Sequence, residues 1–113
     1  MGIYGRNDNF VATARFDDGS VATLTYTALG TPAHSKERID IYVDGKVIQM
    51  DDYKRLSVDG ARHSGLTTKT MQKGHDSELA AFAGAIKTGG VWPIPLWQQV
   101  QATEMAFAVE SQL

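Results

Sequence analysis

The two-residue alternation of apolar and polar side chains in this 113-residue chain ends near position 59, and the 3.6-residue apolar rows begin near position 75. Strands that all precede the helices cannot be threaded by helical crossovers, so the order of the two periodicities points to an α+β chain and away from a parallel α/β sheet. With 113 residues the chain fits a single domain, residues 1–113.

From Asn9 to Phe16 the apolar residues Phe10, Ala12, Ala14 and Phe16 point one way, and Val11, Thr13 and Arg15 the other. Asp17-Asp18-Gly19-Ser20 supplies a turn, after which Val21 to Thr27 returns with Ala22, Leu24 and Tyr26 on one face. Valine and threonine are stiff at χ1 and suit a pleated surface, so this segment reads as a hairpin. Gly30-Thr31-Pro32 breaks the second strand. Arg38 to Val43 alternates again, Asp44-Gly45 is the favoured pair for a two-residue turn, and Lys46 to Met50 completes a second hairpin. Tyr53 to Val58 adds a short fifth strand, and Arg62 to Gln72 has the polarity and lack of period of a mobile loop.

Helical spacing begins near His75, with Leu79, Phe82, Ala83 and Ile86 in one stripe and Thr88-Gly89-Gly90 as its end. His75, Asp76 and Glu78 lie in or beside the first turn, where a cap and negative charge are favourable. Trp92-Pro93-Ile94-Pro95 is an extended connector, and Pro95 can open a second helix. In that helix Leu96, Val100, Thr103 and Phe107 form a row flanked by Ala102, Ala106, Val109 and Leu113. The expected architecture is therefore an antiparallel open sheet of about five strands with two helices packed on one face. Phe82 and Phe107 should seat against Phe10, Phe16, Leu24, Tyr26, Ile39 and Ile41. The uncovered face would carry Val11, Thr13, Val21, Thr23, Thr25 and Tyr42, with Arg15, Thr27, Arg38 and Asp40 around them. It is a flat, half-apolar surface of a kind that partners cover.

Charge narrows the function classes. A formal net charge of −2 with charged residues interspersed gives no electrostatic footprint for nucleic acid or an anionic membrane. With no cysteine, disulfides, thiolate zinc sites and cysteine nucleophiles are excluded. No apolar run approaches the roughly 20 residues of a membrane span, and Met1 to Arg6 lacks a signal-peptide core, so a soluble cytoplasmic protein is expected.

Several short segments carry a resemblance in their order and spacing. They are Asp8-Asn9-Phe10, Asp18-Gly19-Ser20-Val21-Ala22-Thr23-Leu24, Tyr26-Thr27-Ala28-Leu29-Gly30, Lys36-Glu37-Arg38-Ile39 and Asp44-Gly45-Lys46. They continue with Asp51-Asp52-Tyr53, Lys73-Gly74-His75, Glu78-Leu79-Ala80-Ala81-Phe82 and Trp92-Pro93-Ile94-Pro95-Leu96. Together they cover nearly the whole chain, and they resemble the C-terminal domain of the Gfo/Idh/MocA oxidoreductases. The branch most similar is the one in which this domain ends a fusion with a zinc-type alcohol dehydrogenase-like segment. The resemblance implies an NAD(P)-dependent oxidoreductase acting on a sugar, cyclitol or related polyol, with this piece forming part of the substrate pocket and of the oligomer interface. It also implies a separate N-terminal Rossmann domain as partner, NAD or NADP held by that domain, and a homodimer through the open sheet face.

The chain itself lacks the parts that catalysis needs. It has no G-x-G-x-x-G turn to bring backbone N–H groups to a pyrophosphate, and no Glu-Lys-Pro segment, whose lysine sits at the catalytic centre in the family it resembles. Asp59-Gly60-Ala61-Arg62-His63 matches the letters of the family's Asp-x-x-x-His signature, but Gly60 and its polar neighbours mark it as a turn. No catalytic, cofactor or metal residue is therefore assigned, and the piece is expected to be inactive by itself. His34, His63 and His75 show no metal spacing. Lys73 and His75, which flank Gly74 at a helix start, are the candidates for substrate contact, although for His75 helix capping is the commoner role. Asp51-Asp52 reads as a solvated turn beside Lys54 and Arg55, and Trp92 and Trp97 as anchors of the connector. The competing function class is a free-standing interaction or oligomerisation module without enzymatic activity. A weaker third is a carbohydrate-binding module using Tyr42, Trp92 or Trp97.

Overall fold

The computed structural model describes residues 4–62 and 65–113. His63, and with it the Asp59-x-x-x-His63 match, lies outside the described residues. The fold is α+β, with strands β1 (Asn9–Arg15), β2 (Val21–Thr27), β3 (Arg38–Val43), β4 (Lys46–Asp51), β5 (Arg55–Asp59) and β6 (Leu66–Thr67), then helices α1 (His75–Thr88) and α2 (Leu96–Glu110). Among the described residues the strands are not all paired in one sheet of about five. The strands divide into a two-stranded sheet, β1-β2, and a four-stranded one in the order β3-β4-β5-β6, both antiparallel. The chain also divides into two compact units, residues 4–30 with Pro93–Leu113, and Thr31–Trp92.

In the first unit β1 and β2 pair from Asn9 opposite Thr27 to Arg15 opposite Val21. Gly19, at φ 88°, turns the loop, and Asp18 Oδ1 accepts hydrogen bonds from the Ser20 N–H at 2.9 Å and the Ser20 hydroxyl at 2.6 Å. These two bonds hold the Asp18 carboxyl below its usual range, the hydroxyl contributing most. At the open end Asn9 Oδ1 accepts from the Thr27 hydroxyl at 2.7 Å and from the Ala28 N–H at 3.2 Å. Alternation in β1 is as expected, with Phe10, Ala12 and Ala14 half-buried and Val11, Thr13 and Arg15 exposed. Phe10 stacks on its cross-strand neighbour Tyr26 with ring centroids 5.3 Å apart.

α2 approaches this hairpin with a different row from the expected one. Met105, Val109 and Leu113, at i, i+4 and i+8, are half-buried and share a groove of about 630 Å³ with Phe10, Ala12, Ala14, Ala22 and Leu24. Leu96 and Phe107 instead remain 73% and 65% exposed. Alanines at 102, 106 and 108 make the helix apolar on several sides, so both rows could serve, and the small alanines of the hairpin accept the longer methionine.

In the second unit Asp44 and Gly45 both take positive φ, 48° and 71°, the signature of the type I′ turn that suits strand twist. Register makes the four-stranded sheet two-faced. Ile39, Met50, Leu56 and Leu66 form one cross-strand row, and Ile41, Ile48 and Val58 the next. The opposite face has Arg38, Asp51, Arg55 and Thr67 in one row, then Asp40, Gln49 and Ser57. Arg62 to Gln72 is not wholly irregular, since Leu66–Thr67 adds to β5. Gly65 makes that approach possible: at φ 122° a Cβ there would collide with the Leu56 carbonyl.

α1 begins at His75 and ends at Gly89, which adopts the left-handed φ of 64°. Its stripe does not bury. Leu79, Phe82 and Ile86 are 66%, 51% and 66% exposed, and no described residue anywhere is fully buried. The residues of the expected core fall in two units, Phe107 with Phe10, Phe16, Leu24 and Tyr26 in the first and Phe82 with Ile39 and Ile41 in the second. Phe82 finds a different partner, Trp92, edge-on at 5.1 Å. That contact gives Trp92 the expected role of tying the connector down.

Candidate functional site

The densest set of charged and polar contacts joins three separated segments of the second unit. Lys73 Nζ lies 3.2 Å from Glu37 Oε1 and 5.4 Å from the centre of the Tyr53 ring. Backbone bonds hold the segments in place. The Asp52 N–H donates to the Glu37 carbonyl at 2.7 Å, and the Gln72 N–H to the Tyr53 carbonyl at 2.9 Å. Glu37 immediately precedes β3, Tyr53 sits in the β4–β5 turn, and Lys73 leads into α1.

That turn is strained. Asp52 and Tyr53 hold φ of 50° and 52°, a region costly for a residue as bulky as tyrosine. Lys54 Nζ reaches back to Asp52 Oδ2 at 2.8 Å, and this hydrogen bond holds the Asp52 carboxyl below its usual range. The Asp51-Asp52 pair is thus a turn braced by lysine rather than a coupled acid–base pair. The neighbouring Tyr53 hydroxyl, with Lys73 second, also keeps Glu37 low, and Glu37 in return raises the Tyr53 phenol. Glu37 is thereby held as a carboxylate and Tyr53 as a neutral phenol across the ordinary pH range.

An ammonium has three donors, and Glu37 takes one of those of Lys73. A further acceptor, such as a hydroxyl or carboxylate oxygen, can meet another. His75 does not cap α1: the cap position belongs to Gly74, at φ 83°, with no side-chain cap bond. The structure thus keeps the two substrate-contact candidates, Lys73 and His75, together at the helix start. Glu37 and Tyr53, the partners of Lys73, were not among the candidates, and no local motif signals them.

The interface candidates are divided. Val11, Thr13, Val21, Thr23 and Thr25 share the face of the hairpin opposite Phe10, with the Thr13 and Thr23 hydroxyls 3.4 Å apart. Tyr42, 76% exposed, belongs to the other sheet, on its polar face. The six interface candidates therefore belong to two sheets, five to the hairpin and Tyr42 to the four-stranded sheet. Chain direction explains this, because after Pro32 β3 pairs forward with β4 rather than back with β2.

Among the described residues no group of three His, Asp or Glu side chains is placed to hold a metal ion, and no helix is long and apolar enough to cross a membrane. No family model, curated protein or solved structure matches the chain.

Proposed function

We propose that this chain is the C-terminal domain of an NAD(P)-dependent, Gfo/Idh/MocA-like oxidoreductase that acts on a sugar, cyclitol or related polyol. It forms part of the substrate pocket and of the oligomer interface and is not catalytic alone. NAD or NADP belongs to the Rossmann domain that completes the enzyme. The observation that carries this reading is the amount of patterned apolar surface left open. Ile39, Ile41 and Val43 on the four-stranded sheet, and Leu79, Phe82 and Ile86 on α1, are each between 45% and 66% exposed in regular rows. Rows of that kind suit a piece completed by another protein surface. Lys73 and His75, at the start of α1, are the groups offered to substrate hydroxyls, with Glu37 and Tyr53 holding Lys73 in place. The homodimer interface is the hairpin face carrying Val11, Thr13, Val21, Thr23 and Thr25.

Calorimetry and amide NMR on this chain test the assignment together. Neither NAD(H) nor NADP(H) should bind, while millimolar inositol or glucose should shift the signals of Lys73 and His75 selectively. Micromolar affinity for either dinucleotide overturns the division of labour. Polyol titrations that leave Lys73 and His75 unmoved return the chain to the class of interaction modules without enzymatic activity.

A further inference from the structure

The edge of β2 is unguarded, and its geometry is specific. The hairpin ladder is pinned at both ends, by the Phe16 N–H to the Ser20 carbonyl at 2.9 Å and the Ala28 N–H to the Asp8 carbonyl at 2.8 Å. Antiparallel alternation then turns the backbone groups of Ala22, Leu24 and Tyr26 toward β1 and those of Val21, Thr23, Thr25 and Thr27 outward. Each outward residue presents one donor and one acceptor. Within its own unit β2 pairs with β1 alone, and all seven of its residues are exposed. Val21–Thr27 has no charge, proline or glycine, the devices that keep natural edges from pairing. The other edges are better protected: β1 ends in Arg15, β3 carries Arg38 and Asp40, and β6 has two residues.

We propose that the outer edge of β2 pairs antiparallel with β2 of a second copy of this chain, about a two-fold axis at Leu24. The strand is complementary to itself in that register. Thr23 falls opposite Thr25 of the copy and Val21 opposite Thr27, so all four outward residues occupy hydrogen-bonded positions and every outward donor meets an acceptor. Threonine pairs stabilise a ladder, and Leu24 meets its own copy on the apolar side. No like charges are brought opposite one another, because β2 has none. A ribbon of two strands is marginal alone, and the pairing makes it a four-stranded sheet. The edge is about 23 Å long. It buries less than the roughly 800 Å² per partner of a standard stable interface, so the dimer forms and dissociates with concentration. This goes beyond the proposed function, whose homodimer uses the side-chain face of the hairpin rather than its edge.

The chain has no cysteine, which makes crosslinking unambiguous. In the proposed register the two Leu24 positions form a non-hydrogen-bonded pair with Cα atoms about 4.5 Å apart, within disulfide reach. Leu24→Cys should give a crosslinked dimer under mild oxidation at tens of micromolar, and Ala22→Cys, which would face Tyr26 of the copy, only a small fraction of that yield. Thr25→Pro removes an outward N–H and leaves the ladder to β1 intact. It should weaken the sedimentation dimer about tenfold or more. Thr13→Arg, which charges the hairpin face from β1, should leave the edge dimer in place. Absence of the Leu24→Cys crosslink overturns the proposal, independently of how well Thr25→Pro folds. A dimer abolished by Thr13→Arg and indifferent to Thr25→Pro overturns it in favour of the face, and a dimer lost in Thr25→Pro alone leaves the face interface without support.

Discussion

Lys73 and Glu37, 36 positions apart in sequence, meet with Nζ 3.2 Å from Oε1. The contact closes over the ring of Tyr53 and joins the start of α1 to the segment before β3 and to the β4–β5 turn. Since all three groups are solvent-accessible, their value is positional. They determine where the lysine points more than how stable the domain is.

That contact has a pH signature. Glu37 is depressed by Tyr53 and Lys73, so its contribution is present above the unfolded value of 4.5 and is lost as pH falls through the lower folded value. Tyr53 is raised by Glu37, so its contribution is present below 10.0 and is lost as pH climbs through the higher folded value. Glu37→Gln should bring the Tyr53 titration back toward 10.0, and Tyr53→Phe should bring the Glu37 titration back toward 4.5, both followed by carbon-detected NMR. Titrations unmoved by either substitution would dissolve the cluster.

Two glycine-to-alanine changes should differ in kind. Gly45→Ala meets no neighbouring atom and carries only the cost of its left-handed φ, about 1 kcal/mol. Gly65→Ala meets the Leu56 carbonyl as well and should cost about 2 kcal/mol or more. Its damage should be confined to β6. Chemical denaturation gives the totals, and hydrogen exchange at Thr67 and Thr68 shows where the second loss falls.

Truncations along α2 distinguish its two apolar rows. Met105→Ala and Val109→Ala, from the half-buried row, should each cost about 1 kcal/mol, below the range for a fully buried residue. Leu96→Ala and Phe107→Ala, from the exposed row, should stay within about 0.5 kcal/mol. Equal losses in thermal unfolding would put the other side of the helix on the hairpin.

The apolar face of the four-stranded sheet should bind an environment-sensitive dye. Ile41→Lys, in the middle of that face and 49% exposed, should cut the fluorescence gain by half or more while shifting stability by less than about 1 kcal/mol. An unchanged signal would mean that the dye reads some other surface.

How far the sequence could be read depended on the range of the forces involved. β2 and β3 run over their expected residues, the Asp44-Gly45 turn is of the expected type, and α1 starts at His75, because each depends on backbone preferences within a few residues. The two-residue pairing of β6 has too little pattern to announce itself and depends on a glycine whose neighbour is the Leu56 carbonyl. Met105, not Phe107, faces the hairpin, and the pattern hides this because α2 is apolar on more than one side and only the alanine-lined groove decides between the rows. At the candidate site Lys73 and His75 were legible from their place beside a helix start. Glu37 and Tyr53 were not, since their meeting with Lys73 depends on strand register and on a strained turn.

Among the described residues every strand pairs only with its neighbours in sequence. A ladder built from successive hairpins needs no distant segment to arrive first, so its search is short, on the microsecond scale for one hairpin. During synthesis β1-β2 can close as soon as Thr27 is free, and the four strands from Arg38 to Thr67 can zip in order before either helix has emerged. The face of Ile39, Ile41 and Leu66 can therefore be complete while α1 and α2 are still being made.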